Sequence, residues 1–131
     1  MDKHNQQPHY LQEFPDYDDK LHMIDGFFDA SCHNDTSPCI AKYYKIGEND
    51  ETTKSVEIYQ DYKNPELSEL SGYPDGEYKR FNVYKNTYSA ENGSDITPIL
   101  STNSWEKAKK CALQLVKEIE HELPTKAPAE R

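Results

Sequence analysis

The most regular pattern in the chain is a run of apolar residues at helical spacing near its C-terminal end. Between residues 105 and 123 an apolar residue recurs every three or four positions, with charged residues between. This spacing predicts one amphipathic helix with an apolar stripe of Trp105, Ala108, Ala112, Leu115, Val116, Ile119 and Leu123. Asn103 is the expected N-cap, Glu106 completes a capping-box-like arrangement, and Pro124 ends the helix.

Before this helix, apolar and polar residues mostly alternate, which is the period of β-strands. Four segments show the alternation: residues 39–46, 55–62, 77–88 and 96–101. Residues 21–30 form either a further strand or a short irregular apolar segment. Pro98 cannot donate to a sheet ladder, so the last strand is expected at a sheet edge or at a bulge.

Together these elements predict an α+β fold, an antiparallel meander of four or five strands with the C-terminal helix on one face. The uncovered face is expected to be tyrosine-rich and partly wet, which antiparallel sheets tolerate. We expect an irregular acidic arm at residues 1–20, a single α+β domain at 21–123 and a frayed tail at 124–131. Four residues of the arm are expected to pin it to the domain as one helical turn: Tyr10, Leu11, Phe14 and Tyr17.

Composition bears on whether the chain folds and on what kind of partner it would attract. Leu, Ile, Val and Phe make up only 17% of the 131 residues and the net charge is −9, which borders on the composition of disordered chains. Ten tyrosines and one tryptophan oppose that reading. The charge is uneven, because residues 1–76 hold 16 acidic and 6 basic side chains while residues 77–131 hold 8 and 9. An acidic surface repels nucleic acid and anionic lipid and attracts a basic protein.

The compartment is expected to be the cytoplasm. No run of 18 apolar residues is present, and the first 20 residues lack the basic start and apolar stretch of a secretory signal. The chain ends without a lipidation motif. Three cysteines (Cys32, Cys39 and Cys111) are an odd count, so free thiols are expected, with a Cys32–Cys39 disulfide as the alternative in an oxidising compartment.

Two constellations have the residue types of catalytic or metal chemistry. Cys32, His33, Asp35 and Cys39 offer zinc ligands, but their spacing lacks the usual cysteine knuckle. A second set, Asp61 or Asp75 with Glu77 and Lys79, superficially resembles the acid…acid-x-lysine pattern of restriction-endonuclease-like nucleases, which hold Mg²⁺ with two carboxylates. Such triplets are frequent in a chain with 30% charged residues. We therefore expect no metal, no cofactor and no catalytic residues.

Two groups of residues are expected to bind a partner. One is an aromatic and basic face that alternates along the strand at 77–88 and includes Tyr78, Arg80, Tyr84 and Tyr88. Tyrosine and arginine are enriched at protein interface hot spots, and they also stack on single-stranded nucleic acid. The other group is two acidic clusters, Asp16, Asp18 and Asp19 in the arm and Glu48, Asp50 and Glu51 in a turn.

These features favour a non-enzymatic acidic module that binds a basic or nucleic-acid-binding protein. Inhibitors from mobile elements and immunity proteins to nuclease toxins resemble this chain in size and charge, and some imitate a nucleic acid. The alternatives are a metal-dependent nuclease-like enzyme, or single-stranded nucleic-acid binding through the tyrosine-rich face. The residues resemble no particular family, and they predict neither the partner nor the oligomeric state.

Overall fold

The computed structural model of the chain describes residues 7–47, 51–68 and 78–123. Five strands pair antiparallel in chain order as one sheet: β1 (Phe28–Asp29), β2 (Cys39–Ile46), β3 (Thr52–Gln60), β4 (Phe81–Ser89) and β5 (Gly93–Thr102). The helices are α1 (His9–Glu13) before the sheet and α2 (Trp105–Glu122) after it, with a 3₁₀ turn (Pro65–Leu67) between β3 and β4. The predicted α+β fold is confirmed.

The helix α2 covers one face of the sheet, and the main core lies between them. Five apolar residues of β2, β3 and β4 point at the helix, and all are at most 2% exposed: Ile40, Val56, Ile58, Phe81 and Val83. The helix meets them with the stripe expected from its spacing, of which Ala108, Ala112, Leu115, Val116 and Ile119 are buried. Burial of this stripe is the main source of helix stability.

The start of α2 corrects one prediction. The N-cap is Ser104, not Asn103, and the Ser104 hydroxyl accepts the backbone N–H of Lys107 at 3.2 Å. The Asn103 side chain instead accepts the N–H of Arg80 at 2.8 Å and donates to the carbonyl of Tyr78 at 3.3 Å. Asn103 therefore ties the chain just before β4 to the end of β5, a long-range role that local spacing does not reveal.

The strand bounds agree best where the alternation is cleanest. Strand β2 has the predicted bounds, whereas β3 begins at Thr52 and ends at Gln60, and β4 begins only at Phe81. Strand β5 begins directly at Gly93, whose φ of +74° closes the turn from β4. Tyr84 pairs with Pro98 while Val83 pairs with Leu100, so Ile99 is the extra residue of a bulge in an edge strand. Both expectations for Pro98 are confirmed.

Residues 21–30 are irregular apart from the short β1. The backbone near their start is hydrogen-bonded by the Gln60 side chain and not by the backbone of a neighbouring strand. The buried Gln60 amide accepts the N–H of His22 and donates to the His22 carbonyl, each at 2.8 Å. This pair of hydrogen bonds, which we call the Gln60 clamp, lets Ile24 and Phe27 enter the main core without a further strand.

The N-terminal arm forms a second, smaller apolar cluster against the end of β3. Phe14 and Tyr17 are buried against Tyr62, with Tyr10 and Leu11 packed on them. The Tyr17 and Tyr62 rings lie 5.3 Å apart between centroids. The helix α1 gives this segment one helical turn.

Candidate functional site

Most of the acidic cluster of the arm bonds to other parts of the same chain. The Asp18 carboxylate accepts the backbone N–H groups of Lys63 at 2.8 Å and Asn64 at 2.7 Å. The Asp19 carboxylate lies 2.7 Å from the Arg80 guanidinium, and this hydrogen bond holds the pKa of Asp19 below its usual value. Asp16 is exposed. Two of the three predicted partner-binding carboxylates of the arm therefore stabilise its attachment.

The acidic turn is described only in part. Glu48 and Asp50 lie outside the described residues, and Glu51 is exposed at the start of β3. Its carboxylate lies over Gly47, whose φ of +100° suits glycine and where a Cβ would collide with that carboxylate.

The predicted aromatic and basic face divides into two parts. Tyr78 and Arg80 precede β4 and turn towards the arm, where the Tyr78 hydroxyl donates to the Tyr62 carbonyl and Arg80 pairs with Asp19. Burial raises the pKa of Tyr78 to about 12. Tyr84 and Tyr88 lie instead within β4, and both line hollows on the face opposite α2. The structure therefore does not bring the four residues together in one surface.

The open face of the sheet is centred on Glu57, a residue that the sequence analysis did not single out. Glu57 pairs with Ala41 of β2 on one side and with Tyr84 of β4 on the other. Ser55 and Tyr59 precede and follow it on the same face of β3, because side chains alternate along a strand. The register thus surrounds a central carboxylate with two small and two aromatic neighbours.

The Glu57 side chain is unusual because it is charged, central and only 9% exposed. It accepts hydrogen bonds from the Ser55 hydroxyl at 2.9 Å and from the Tyr59 hydroxyl at 3.4 Å. Within the described residues no lysine, arginine or histidine forms an ion pair with it. Acidic side chains are rarely buried without a basic partner, so a central carboxylate held by neutral donors alone is an uncommon arrangement.

The neighbouring ionisable groups respond to this environment. Burial is the largest cause of the raised pKa values of Tyr43 and Cys39, and the Glu57 carboxylate is the next cause. Burial also raises the pKa of Tyr59, which donates to Glu57. These hydroxyl and thiol groups therefore stay protonated at neutral pH.

Two hollows meet at Glu57 and form a shallow groove along the open face, which we call the Glu57 groove. The larger, of about 320 Å³, is lined by Asn34, Asp35, Thr36, Ser37, Glu57, Tyr59, Asn82, Tyr84 and Ile96. The smaller, of about 260 Å³, is lined by Tyr43, Lys45, Thr53, Ser55, Glu57, Asn86, Tyr88 and Ser94. The rings of Tyr59 and Tyr84 meet edge to face inside the larger hollow, 5.5 Å apart.

Two buried polar atoms in this groove lack a hydrogen-bond partner among the described residues. Ser37, only 1% exposed, lines the larger hollow with its Oγ unpaired, and Asn86 lines the smaller one with its Oδ1 unpaired. Buried polar groups are nearly always hydrogen-bonded in folded proteins, so these two atoms are free to bond to a group that enters the groove.

Of the two constellations with the residue types of catalytic or metal chemistry, the nuclease-like set is described only in part. Asp61 is fully buried, and its carboxylate accepts the N–H of Tyr62 at 2.7 Å and the hydroxyl of Ser68 at 2.6 Å. Asp75 and Glu77 lie outside the described residues. His33 pairs with Glu13 at 3.0 Å, and no three metal-ligating side chains converge in the described part of the chain. Cys32, Cys39 and Cys111 are free thiols.

Comparison with family models, with curated proteins and with solved structures found no match for this chain. In the described ranges, none of the helices combines the length and the apolar character needed to cross a membrane.

Glu57 is not predicted as a site residue because the apolar residues Val56 and Ile58, which define the alternation of residues 55–62, lie on the other face of the strand. The signal was nonetheless present, since a single acidic residue stands at the centre of a strand with apolar residues on both sides. Its importance becomes visible only with the register, which places Tyr84 beside it.

Proposed function

We propose that this chain is a non-enzymatic protein-binding module whose open sheet face covers a basic surface of another protein, as an inhibitor or immunity-type factor does. The observation that carries the proposal is the buried Glu57 carboxylate, which has no ion-pair partner among the described residues, within a groove lined by tyrosines. Tyrosine is enriched in the energetic centres of protein interfaces, where it supplies a large apolar area with a polar tip.

The charge distribution supports a basic partner. Residues 1–76, which contribute β1, β2 and β3, carry a net charge of −10, so the field on this side of the chain attracts cationic surfaces. Exposed aromatic residues widen the face at the edge of the groove, since Tyr43, which lines the smaller hollow, and Phe28 beside it are 52% and 46% exposed and their rings meet edge to face. Large exposed aromatic residues that adjoin one another are typical of an interaction surface.

Binding of single-stranded nucleic acid is less well supported. Of the four residues expected to bind single-stranded nucleic acid, Arg80 is paired with Asp19 and Tyr78 is bonded to Tyr62. The remaining two, Tyr84 and Tyr88, flank Glu57, whose negative charge repels a phosphate backbone.

The test uses the immobilised full chain and two matched variants. Tyr84→Ala removes a ring from the groove, and Leu113→Ala removes an exposed side chain from α2 on the other side of the sheet. From a native lysate we expect a basic protein to be retained by the native chain and by Leu113→Ala, and at least about tenfold less by Tyr84→Ala. Retention is expected to fall as salt is raised.

A fluorescent single-stranded oligonucleotide of mixed sequence is the second probe, and no binding is expected. The proposal is contradicted if the lysate yields no basic or nucleic-acid-binding protein. It is equally contradicted if Tyr84→Ala leaves the captured proteins unchanged, or if the oligonucleotide binds through Tyr84.

A further inference from the structure

The groove has an excess of hydrogen-bond acceptors. Asn86 Oδ1 is a buried acceptor without a partner among the described residues. A carboxylate offers about four acceptor positions, and Glu57 uses two of them, for Ser55 and Tyr59. Ser37 Oγ, which can accept as well as donate, is also unpaired there. A ligand that satisfies these atoms must be rich in donors.

The same ligand is expected to be cationic. Glu57 and Asp35 place two carboxylates on the wall of the larger hollow. The faces of tyrosine rings carry negative electrostatic potential and attract cations, more strongly where water is displaced. The one lysine that lines the groove, Lys45, is exposed and forms no ion pair with Glu57. Among the described residues, no basic side chain is thus paired with the Glu57 carboxylate at the centre of the face.

Shape and donor geometry distinguish between the two common protein cations. A lysine ammonium is a compact point charge with three donors, whereas a guanidinium is a flat fork with five donors that binds both oxygens of a carboxylate and stacks on aromatic rings. The groove is elongated, because its two hollows extend to either side of Glu57. A flat group lying along tyrosine rings uses this space better than a point charge does.

We propose that the Glu57 groove receives the guanidinium of an arginine side chain presented by the partner protein. This inference rests on the proposed function and names the chemistry that the open face recognises. Free arginine fits less well, because its own carboxylate would lie against the acidic wall formed by Glu57 and Asp35.

The test is an NMR titration of the isotope-labelled full chain with N-acetyl-argininamide, which imitates an arginine within a peptide. N-acetyl-citrullinamide has nearly the same shape without the charge, and N-acetyl-lysinamide has the charge without the fork. We expect the arginine compound to shift the amide signals of β2, β3 and β4 around Glu57. The citrulline compound loses the charge of its hydrogen bonds, and the lysine compound loses the second bond of the fork and the stacking on tyrosine, so we expect each to bind at least about tenfold more weakly.

Two variants and one control locate the site. Glu57→Gln keeps the size of the side chain and removes its charge, and Tyr84→Leu keeps an apolar residue and removes the ring. We expect both to weaken binding of the arginine compound about tenfold or more. Glu91→Gln makes the same charge change in the exposed turn before β5 and should bind as the native chain does. The amide spectrum of each variant shows directly whether it is folded.

The inference is overturned if the citrulline or the lysine compound binds as well as the arginine compound, or if Glu57→Gln and Tyr84→Leu both bind like Glu91→Gln. Capture of a basic protein that depends on Tyr84, together with no response to the arginine compound, would overturn this inference and leave the proposed function standing. Binding of the arginine compound at Glu57 without any captured basic protein would support the groove chemistry and contradict the proposed function.

Discussion

The Gln60 clamp is the best place to test how this fold dispenses with a longer first strand. Gln60 is completely buried, and its amide makes two hydrogen bonds of 2.8 Å to the backbone of His22. Replacing Gln60 by Leu keeps a side chain of similar length and removes both hydrogen bonds. The N–H and carbonyl of His22 would then be left without these partners in a part-buried position.

The size of the effect follows from these contacts. A buried backbone group that loses its hydrogen-bond partner costs about 1–3 kcal/mol, and since His22 is only part-buried its N–H and carbonyl together cost about 3–4 kcal/mol. Burial of the apolar leucine side chain offsets part of this loss, by about 1–2 kcal/mol. We therefore expect Gln60→Leu to lower the free energy of unfolding by about 2 kcal/mol. Domains of this kind are typically stable by about 5–15 kcal/mol, so the loss is a substantial fraction.

Urea unfolding followed by tryptophan fluorescence measures this change. Trp105 is the single tryptophan, and its ring lies 4.9 Å from that of His22 and 5.3 Å from that of Phe81, so it reports on the clamped segment. With m-values of about 1–3 kcal/mol/M, the midpoint should fall by about 1 M. The control is Gln114→Leu, the same change at an exposed position of α2, which should stay within about 0.5 kcal/mol. Equal stability of the two variants would refute the reasoning.

Two further predictions concern the core and its response to acid. Ile119→Ala, in the buried stripe of α2, should lower the free energy of unfolding by about 2–5 kcal/mol. Leu113 is 37% exposed on the same helix, so Leu113→Ala should change that free energy by less than about 1 kcal/mol. Chemical denaturation compares the two variants, and similar losses of stability would contradict the packing of α2. Burial, and secondly the charge of Arg80, lowers the pKa of His22 from 6.5, so the folded state resists protonation of this imidazole. The contribution to stability is therefore complete above pH 6.5 and is lost as the pH falls below it. Unfolding curves recorded on either side of pH 6.5 should show this pH dependence in the native chain and lack it in His22→Phe. An unchanged pH profile in His22→Phe would contradict the assignment.

Local pattern was sufficient for much of this fold. Residues 39–46 alternate cleanly and carry no breaker, so the predicted bounds of β2 agree with the structure. The stripe of α2 and the edge position of Pro98 also follow from spacing and from the missing N–H of proline. Prediction failed where partners are distant in sequence, since Asn103 bonds to residues more than twenty positions away and left the cap to Ser104.

In the candidate site, too, local pattern fails where contacts between residues distant in sequence decide the arrangement. Sequence alternation grouped Tyr78 and Arg80 with Tyr84 and Tyr88, but the buried arm draws the first pair away through Tyr62 and Asp19. The acidic residues of the arm suggested a surface for a partner, yet Asp18 and Asp19 hold the arm to the domain. The central carboxylate of the open face requires the pairing of β3 with β4, and no local pattern encodes that register.

The bulge at Ile99 has a consequence for colloidal behaviour. Strand β5 is an edge of ten residues in which Ile96 and Ile99 are exposed, and a regular edge of this kind is a template for aggregation through strand pairing. Pro98 removes one donor from the middle of that edge, and the extra residue at Ile99 interrupts the repeat of its backbone groups. A second molecule meeting this edge finds only short stretches to pair with. The same irregularity that shifts the register of the last strand thus opposes the pairing of this edge with further copies of the chain.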